Sequence, residues 1–230
     1  MGNNLLTYQN AKTSKGEKKG YLTGILYLKP AESGGLGNLC PKASDGCKAS
    51  CLNTAGRGVF DQVQAGRQRK TIAYVENKKQ FVADLISDVQ KLVKHANKLN
   101  LIPCVRINGT SDLPSLARQV AKACPTVQFY DYTKIPKPYK RTLENYHLTF
   151  SKSENNMDDC LDALQNGINV AVVFEKELPK TYLGYKVVNG DETDLRFLDK
   201  QKNGKAVIVG LKAKGRAKKD KTGFTVRNYK

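Results

Sequence analysis

Short apolar runs recur along the chain, and most end in a cluster of polar residues. That alternation limits the folds open to it. Strand-like runs occupy residues 20–30, 101–107, 127–132, 146–151, 168–174, 185–188 and 205–211. Each is rich in Val, Ile, Leu, Phe or Tyr, and several are bounded by Gly, Pro, Asn or Asp. The run at 168–174 is apolar enough to be buried on both faces, as in a parallel sheet. Between the runs lie helical patterns. The clearest covers 76–97, where Phe81, Val82, Leu85, Ile86, Val89, Leu92, Val93 and Ala96 fall on one face at three-four spacing. Further helices are expected at 61–71, 113–123 and 156–165, with Asp112 capping the second and Pro114 in its first turn. Strands interleaved with helices give an α/β protein on a mostly parallel sheet.

The polar clusters refine that expectation. Residues 106–112 (R-I-N-G-T-S-D) follow one strand, and Asp131, Tyr132, Thr133 and Lys134 follow another. Ser151, Lys152, Ser153 and Glu154 follow a third, and Asn189, Gly190, Asp191, Glu192 and Asp194 a fourth. Recurrence just after successive strands is the placement used by (β/α) barrels for their sites, so a small or incomplete (β/α) barrel is favoured over an open sheet. Arg106, Asn108, Ser111 and Asp112 are expected to border a polar pocket. Arg106 is suited to a bidentate grip on a carboxylate or phosphate. Asp112 or Asp191 is suited to positioning a polar ligand or moving a proton. The whole of 1–230 is read as one α/β domain, with a lysine-rich arm at 9–20 and a basic segment at 200–230.

Three cysteines, Cys40, Cys47 and Cys51, lie in a C-x6-C-x3-C stretch after a glycine-rich loop. Soft thiolates favour zinc or an iron–sulfur centre over magnesium or calcium. Three of them on a four-iron cluster leave one iron open, whereas structural zinc needs a fourth ligand, for which Cys104, His95 and His147 are candidates. Cys47 and Cys51 would share a helical face if a turn begins near Gly46. The total of six cysteines also allows disulfides, but a 230-residue chain can build a core without them. Cys124 and Cys160 fit helix cores. Arg67, Arg69 and Lys70 are placed either to cover a cluster or bind an anion, or on a solvent-facing helix surface.

With 39 basic and 21 acidic residues, the formal charge is +18. Residues 200–230 hold eleven Lys and Arg against the single acid Asp220, a segment attractive to phosphate polymers or other anions. No apolar run reaches the length of a membrane span, and the first residues do not read as an export signal, so a cytoplasmic location is expected.

Taken in order, residues 14–16, 28–30, 38–47, 51–58, 70–71, 106–112, 130–134 and 190–194 resemble the phage gene-product-88-like family. The resemblance spans most of the chain. It implies a phage-encoded protein of the host cytoplasm, with a [4Fe-4S] cluster on Cys40, Cys47 and Cys51 and a partial barrel distantly similar to radical S-adenosylmethionine enzymes. The spacing here differs from the C-x3-C-x2-C of those enzymes. S-adenosylmethionine is thus a cofactor that the distant similarity suggests and the spacing does not. The expected function is an iron–sulfur protein with redox or radical activity, acting on a small molecule or with a redox partner. The alternative is a zinc-stabilised accessory protein that binds nucleic acid through its basic C-terminal segment.

Overall fold

In a computed structural model describing residues 4–8, 13–199 and 204–227, the apolar runs become the strands of one sheet. The first part holds β1 (Leu6–Thr7), α1 (Thr13–Glu17), β2 (Tyr21–Leu26), α2 (Asp45–Ala49), α3 (Asp61–Glu76) and α4 (Lys78–Lys98). There follow β3 (Ile102–Arg106), α5 (Pro114–Ala123), β4 (Gln128–Thr133), β5 (Tyr146–Ser151), α6 (Met157–Gln165) and β6 (Val170–Phe174). The last part supplies β7 (Thr181–Tyr182), β8 (Tyr185–Asn189), β9 (Ile208–Lys212) and β10 (Thr225–Val226).

The strand order is β1-β2-β3-β4-β5-β6-β9-β8-β7. From β2 to β8 every neighbouring pair is parallel, while β1 and β7 close the two edges antiparallel. The order never returns to its first strand, so the fold is an α/β sheet of mostly parallel strands forming an incomplete barrel. β5 pairs only with Val170 and Ala171 of β6, leaving the far end of that edge open. β10 fills it, pairing with Val173 and Phe174, and so lengthens the sheet beyond the end of β5.

Alternation along the strands sorts side chains to two faces. On β3, Val105, followed by Ile107 just beyond the strand, joins the helix-facing core, with Leu85, Val89 and Leu92 of α4 and Leu116 and Val120 of α5. Cys104 points the other way, into a separate cluster with Tyr130 and Leu195. By the same parity Arg106 lies on the inner face, where its guanidinium stacks over Tyr132 at 4.7 Å. A second helix-side core joins Cys160, Ala163 and Leu164 of α6 to Phe150, Val172 and Ile208.

Several local expectations are revised. α3 continues past residue 71 to Glu76, and Asn77 then separates it from α4, its side chain accepting from the Gln80 amide. Asp112 does not cap α5, whose N-cap is Leu113 without a side-chain bond. The basic C-terminal segment is not a tail: β9 sits in the sheet between β6 and β8, and β10 lies on β6. Residues 9–12 of the expected arm, and Lys200, Lys202 and Lys230 of the basic segment, lie outside the described residues.

Candidate functional site

Parallel strands send their C-terminal ends, and the loops that leave them, to one edge of the sheet. There a cavity of about 620 Å³ opens, lined from every one of the expected strand-end clusters. Arg106, Asn108, Ser111 and Asp112 arrive from β3, and Tyr132, Thr133 and Lys134 from β4. Ser151 and Lys152 come from β5, and Gly190, Asp191, Thr193 and Asp194 from the end of β8. Asp131, Ser153, Glu154, Asn189 and Glu192 do not line it.

The loop after β3 is held by its own side chains. Asp131 accepts from the Asn108 amide at 2.7 Å and from Asn108 Nδ2 at 3.0 Å, and the Tyr146 hydroxyl donates to it at 3.1 Å. Asn108 Oδ1 in turn accepts from Ser111 Oγ at 3.0 Å and the Leu113 amide at 2.8 Å. Asn108 and Ser111 therefore shape the cavity wall with their polar atoms already engaged. Gly109 makes the turn fit: a Cβ there would lie 2.7 Å from the Leu26 carbonyl and 2.7 Å from Tyr27.

Asp112 and Arg106 each keep a polar atom in reserve. Asp112 Oδ2 accepts from the Lys134 amide at 2.8 Å, but Oδ1, buried on the cavity wall, has no hydrogen-bond partner among the described residues. Burial raises the Asp112 pKa against the pull of the Lys134 amide and Thr133 hydroxyl. Arg106 pairs with Asp194 at 2.8 Å, while its buried Nε lacks a partner among the described residues. Burial works against its charge, yet Asp194 and the nearby tyrosines outweigh that and raise its pKa, so it stays protonated.

The cysteine segment forms another part of the wall, with Cys40, Cys47 and Cys51 all on the cavity. Ser44 caps α2, its Oγ accepting from the Cys47 amide at 3.2 Å. Glu154, from the loop after β5, clamps the same turn through Ser44 Oγ and the Gly46 amide, both at 2.7 Å. A Cβ at Gly46 would run into that carboxylate and Thr222. Arg67 of α3 donates to the carbonyl and side-chain oxygens of Asn53 and lies over Tyr27 at 5.1 Å. Lys70 donates to the Leu5 carbonyl at 2.6 Å, and Arg69 is exposed; none of these three cations lines the cavity.

This arrangement overturns the metal expectation. Among the described residues, no group of three or more His, Cys, Asp or Glu side chains is placed to hold a metal ion. Neither the [4Fe-4S] cluster on Cys40, Cys47 and Cys51 nor structural zinc is supported, and with the cluster goes the radical role for S-adenosylmethionine. The local reasons are visible. α2 ends at Ala49, so Cys51 leaves the helical face of Cys47 and instead caps the following 3-10 turn, accepting from the Asn53 amide at 3.5 Å. Cys40 donates to the Thr110 carbonyl at 3.6 Å. Burial pushes its thiol up to about 12 and raises that of Cys51, disfavouring the thiolates that metals bind. Cys104 is no fourth ligand. It sits off the cavity, 3.2 Å from Thr23 Oγ1, its thiol also pushed up to about 12 by burial.

Sequence reasoning missed what the C-terminal segment contributes. Lys212, Lys214 and Arg216 line the cavity, joining Lys15, Lys48, Arg106, Lys134 and Lys152. Against them stand only Glu32, Asp112, Asp191 and Asp194. Three of these acids are already paired, Glu32 with Lys48, Asp191 with Lys214 and Asp194 with Arg106. The charge run was legible, but its return to the sheet edge was not.

The family model described as Gene product 88 matches residues 4–228. The chain belongs to the Gene product 88 family. No curated protein and no solved structure matches it. Nothing in these comparisons ties the Gene product 88 chain to radical S-adenosylmethionine enzymes. Among its described residues, no helix is long and apolar enough to cross a membrane.

Proposed function

We propose that this protein binds a small anionic molecule, carrying a phosphate or carboxylate, in the cavity at the C-terminal edge of its sheet. The observation that carries this reading is the charge of the lining: eight cationic side chains face four carboxylates, three of them already paired. A cavity of about 620 Å³ suits a metabolite-sized ligand. Lys134 and Arg216 meet the anion, Arg106 fixes its orientation, and Asp112 Oδ1 accepts from a ligand hydroxyl or amine. Strand ends supply most of these groups, a rigid support of the kind binding sites need.

Thermal unfolding with inorganic phosphate, nucleoside monophosphates, sugar phosphates and keto acids tests the reading. A ligand at a hundred times its Kd adds about 2.7 kcal/mol, a rise in Tm of several degrees. The double substitution Lys134→Ala with Arg216→Ala should abolish that rise while leaving the unliganded Tm nearly unchanged. Anionic compounds that shift Tm no more than neutral sugars would overturn the proposal.

A second reading is favoured by the exposed Lys218, Lys219 and Lys221, which follow the cavity-lining Arg216 in the chain. A phosphate polymer laid across these lysines would be held by charge alone and would be sensitive to salt.

A further inference from the structure

Lys152 is the one cavity-lining lysine buried to 7 % exposure, at the first position after β5. Among the described residues its Nζ makes one long hydrogen bond, 3.3 Å to the carbonyl of Ser153. No ion pair with a carboxylate is formed by Lys152 among the described residues. The acids nearest in charge are committed elsewhere. Glu154 is held by Ser44 and Gly46, and Asp220 accepts from Thr222 and Thr225 at the turn before β10. Cys160 of α6 is the other titratable group that acts on it, with a thiol that burial pushes up to about 12. A buried ammonium without a counter-ion is destabilising, and the neutral amine relieves that penalty.

We propose that Lys152 is a nucleophilic amine that forms an imine with a small carbonyl compound bearing an anionic group. The proposal rests on the anion-binding reading of the same cavity and specifies its ligand class. The neutral Nζ adds to the carbonyl carbon to give a carbinolamine. Loss of water then replaces the C=O bond by C=N, both amine protons leave in that water, and nothing is oxidised or reduced. Lys134 and Arg216 on the same cavity hold the anionic end. Burial lowers the pKa of Lys152, while Cys160, Glu154 and Asp220 pull it back up, so the neutral fraction near pH 7 exceeds that of an exposed lysine.

The test incubates the full chain with glyoxylate and sodium cyanoborohydride, which reduces the imine to a stable secondary amine, and maps adducts by mass spectrometry. Each unit of lowered pKa raises the neutral amine about tenfold. Lys152 should therefore label several-fold faster than exposed Lys218 in the same sample at pH 7, with the advantage shrinking by pH 10. Inorganic phosphate should protect Lys152 and leave Lys218 unaffected. Lys152→Arg should lose that adduct, and the within-sample comparison stands even if the variant folds poorly. Labelling of Lys152 no faster than Lys218 across this range would overturn the imine. If phosphate still raised Tm in that case, the anion site would survive without it.

Discussion

Asp131 shows how a single buried group can set both a loop and a pH response. It is 1 % exposed, and burial raises its pKa to about 7 despite the hydrogen bonds from Asn108 and Tyr146. An acid whose folded pKa lies above its unfolded value binds more protons when folded. Its contribution is greatest below about pH 4 and is lost as pH rises through about 7. This one group can impose a slope of at most about 1.4 kcal/mol per pH unit between those limits. Denaturant melts at pH 5 and pH 8 should show the wild type losing more stability over that interval than Asp131→Asn. Equal losses in the two proteins would assign the carboxyl an ordinary pKa. The apolar neighbours of Asp131 were legible in the sequence. That Asn108, 23 residues away, uses its backbone and side-chain amides to organise this carboxylate was not, because the pairing exists only once β3 and β4 lie side by side.

At the scale of elements, α2 is too short to persist alone, since helix nucleation is unfavourable and five residues offset little of it. Its support is Glu154, which reaches from the loop after β5 to the first turn of α2. Glu154 is only partly buried, and its pKa is lowered: burial opposes the charge, and hydrogen bonds from its own backbone, Ser44 and Gly46 prevail. Glu154→Ala should cost about 1 kcal/mol and speed amide exchange across residues 44–50, leaving exchange in α4 unchanged. Uniform acceleration across both segments would mean that the clamp supports the whole fold instead of one wall of the cavity. The helical pattern of 76–97 was readable because its apolar face repeats over about four turns, from Phe81 to Ala96. α2 carries no such stripe; the sequence suggested only a turn near Gly46, and the Ser44 cap emerged with the structure.

Across the whole molecule, the basic C-terminal segment serves the fold before it serves any partner. β9 pairs with β6 on one side and β8 on the other, and Ala206, Val207, Ile208 and Val209 are buried. Truncation before residue 200 should therefore remove cooperative unfolding altogether, and a sharp melt in the truncated chain would contradict the placement of β9. Surface charge can be probed without that damage. Replacing Lys218, Lys219 and Lys221 with Glu should leave Tm close to wild type. If a phosphate polymer lies on these lysines, the salt slope for single-stranded DNA should flatten by roughly 0.7 for each phosphate no longer neutralised.

Local chemistry was enough to establish the alternation of strands and helices, the mostly parallel sheet, the polar clusters after four of the strands and the surplus of positive charge. These depend on periodicity, turn residues and composition, all of which act over short stretches of chain. Tertiary structure alone decided that Cys40 and Cys51 bond to backbone groups, that Asn108 is structural while Asp112 keeps an unpartnered oxygen, and that lysines and an arginine from residues 212–216 return to the cavity. Each of those outcomes is fixed by which segments the sheet brings together. A burial penalty or an ion pair has no value until its neighbours are in place.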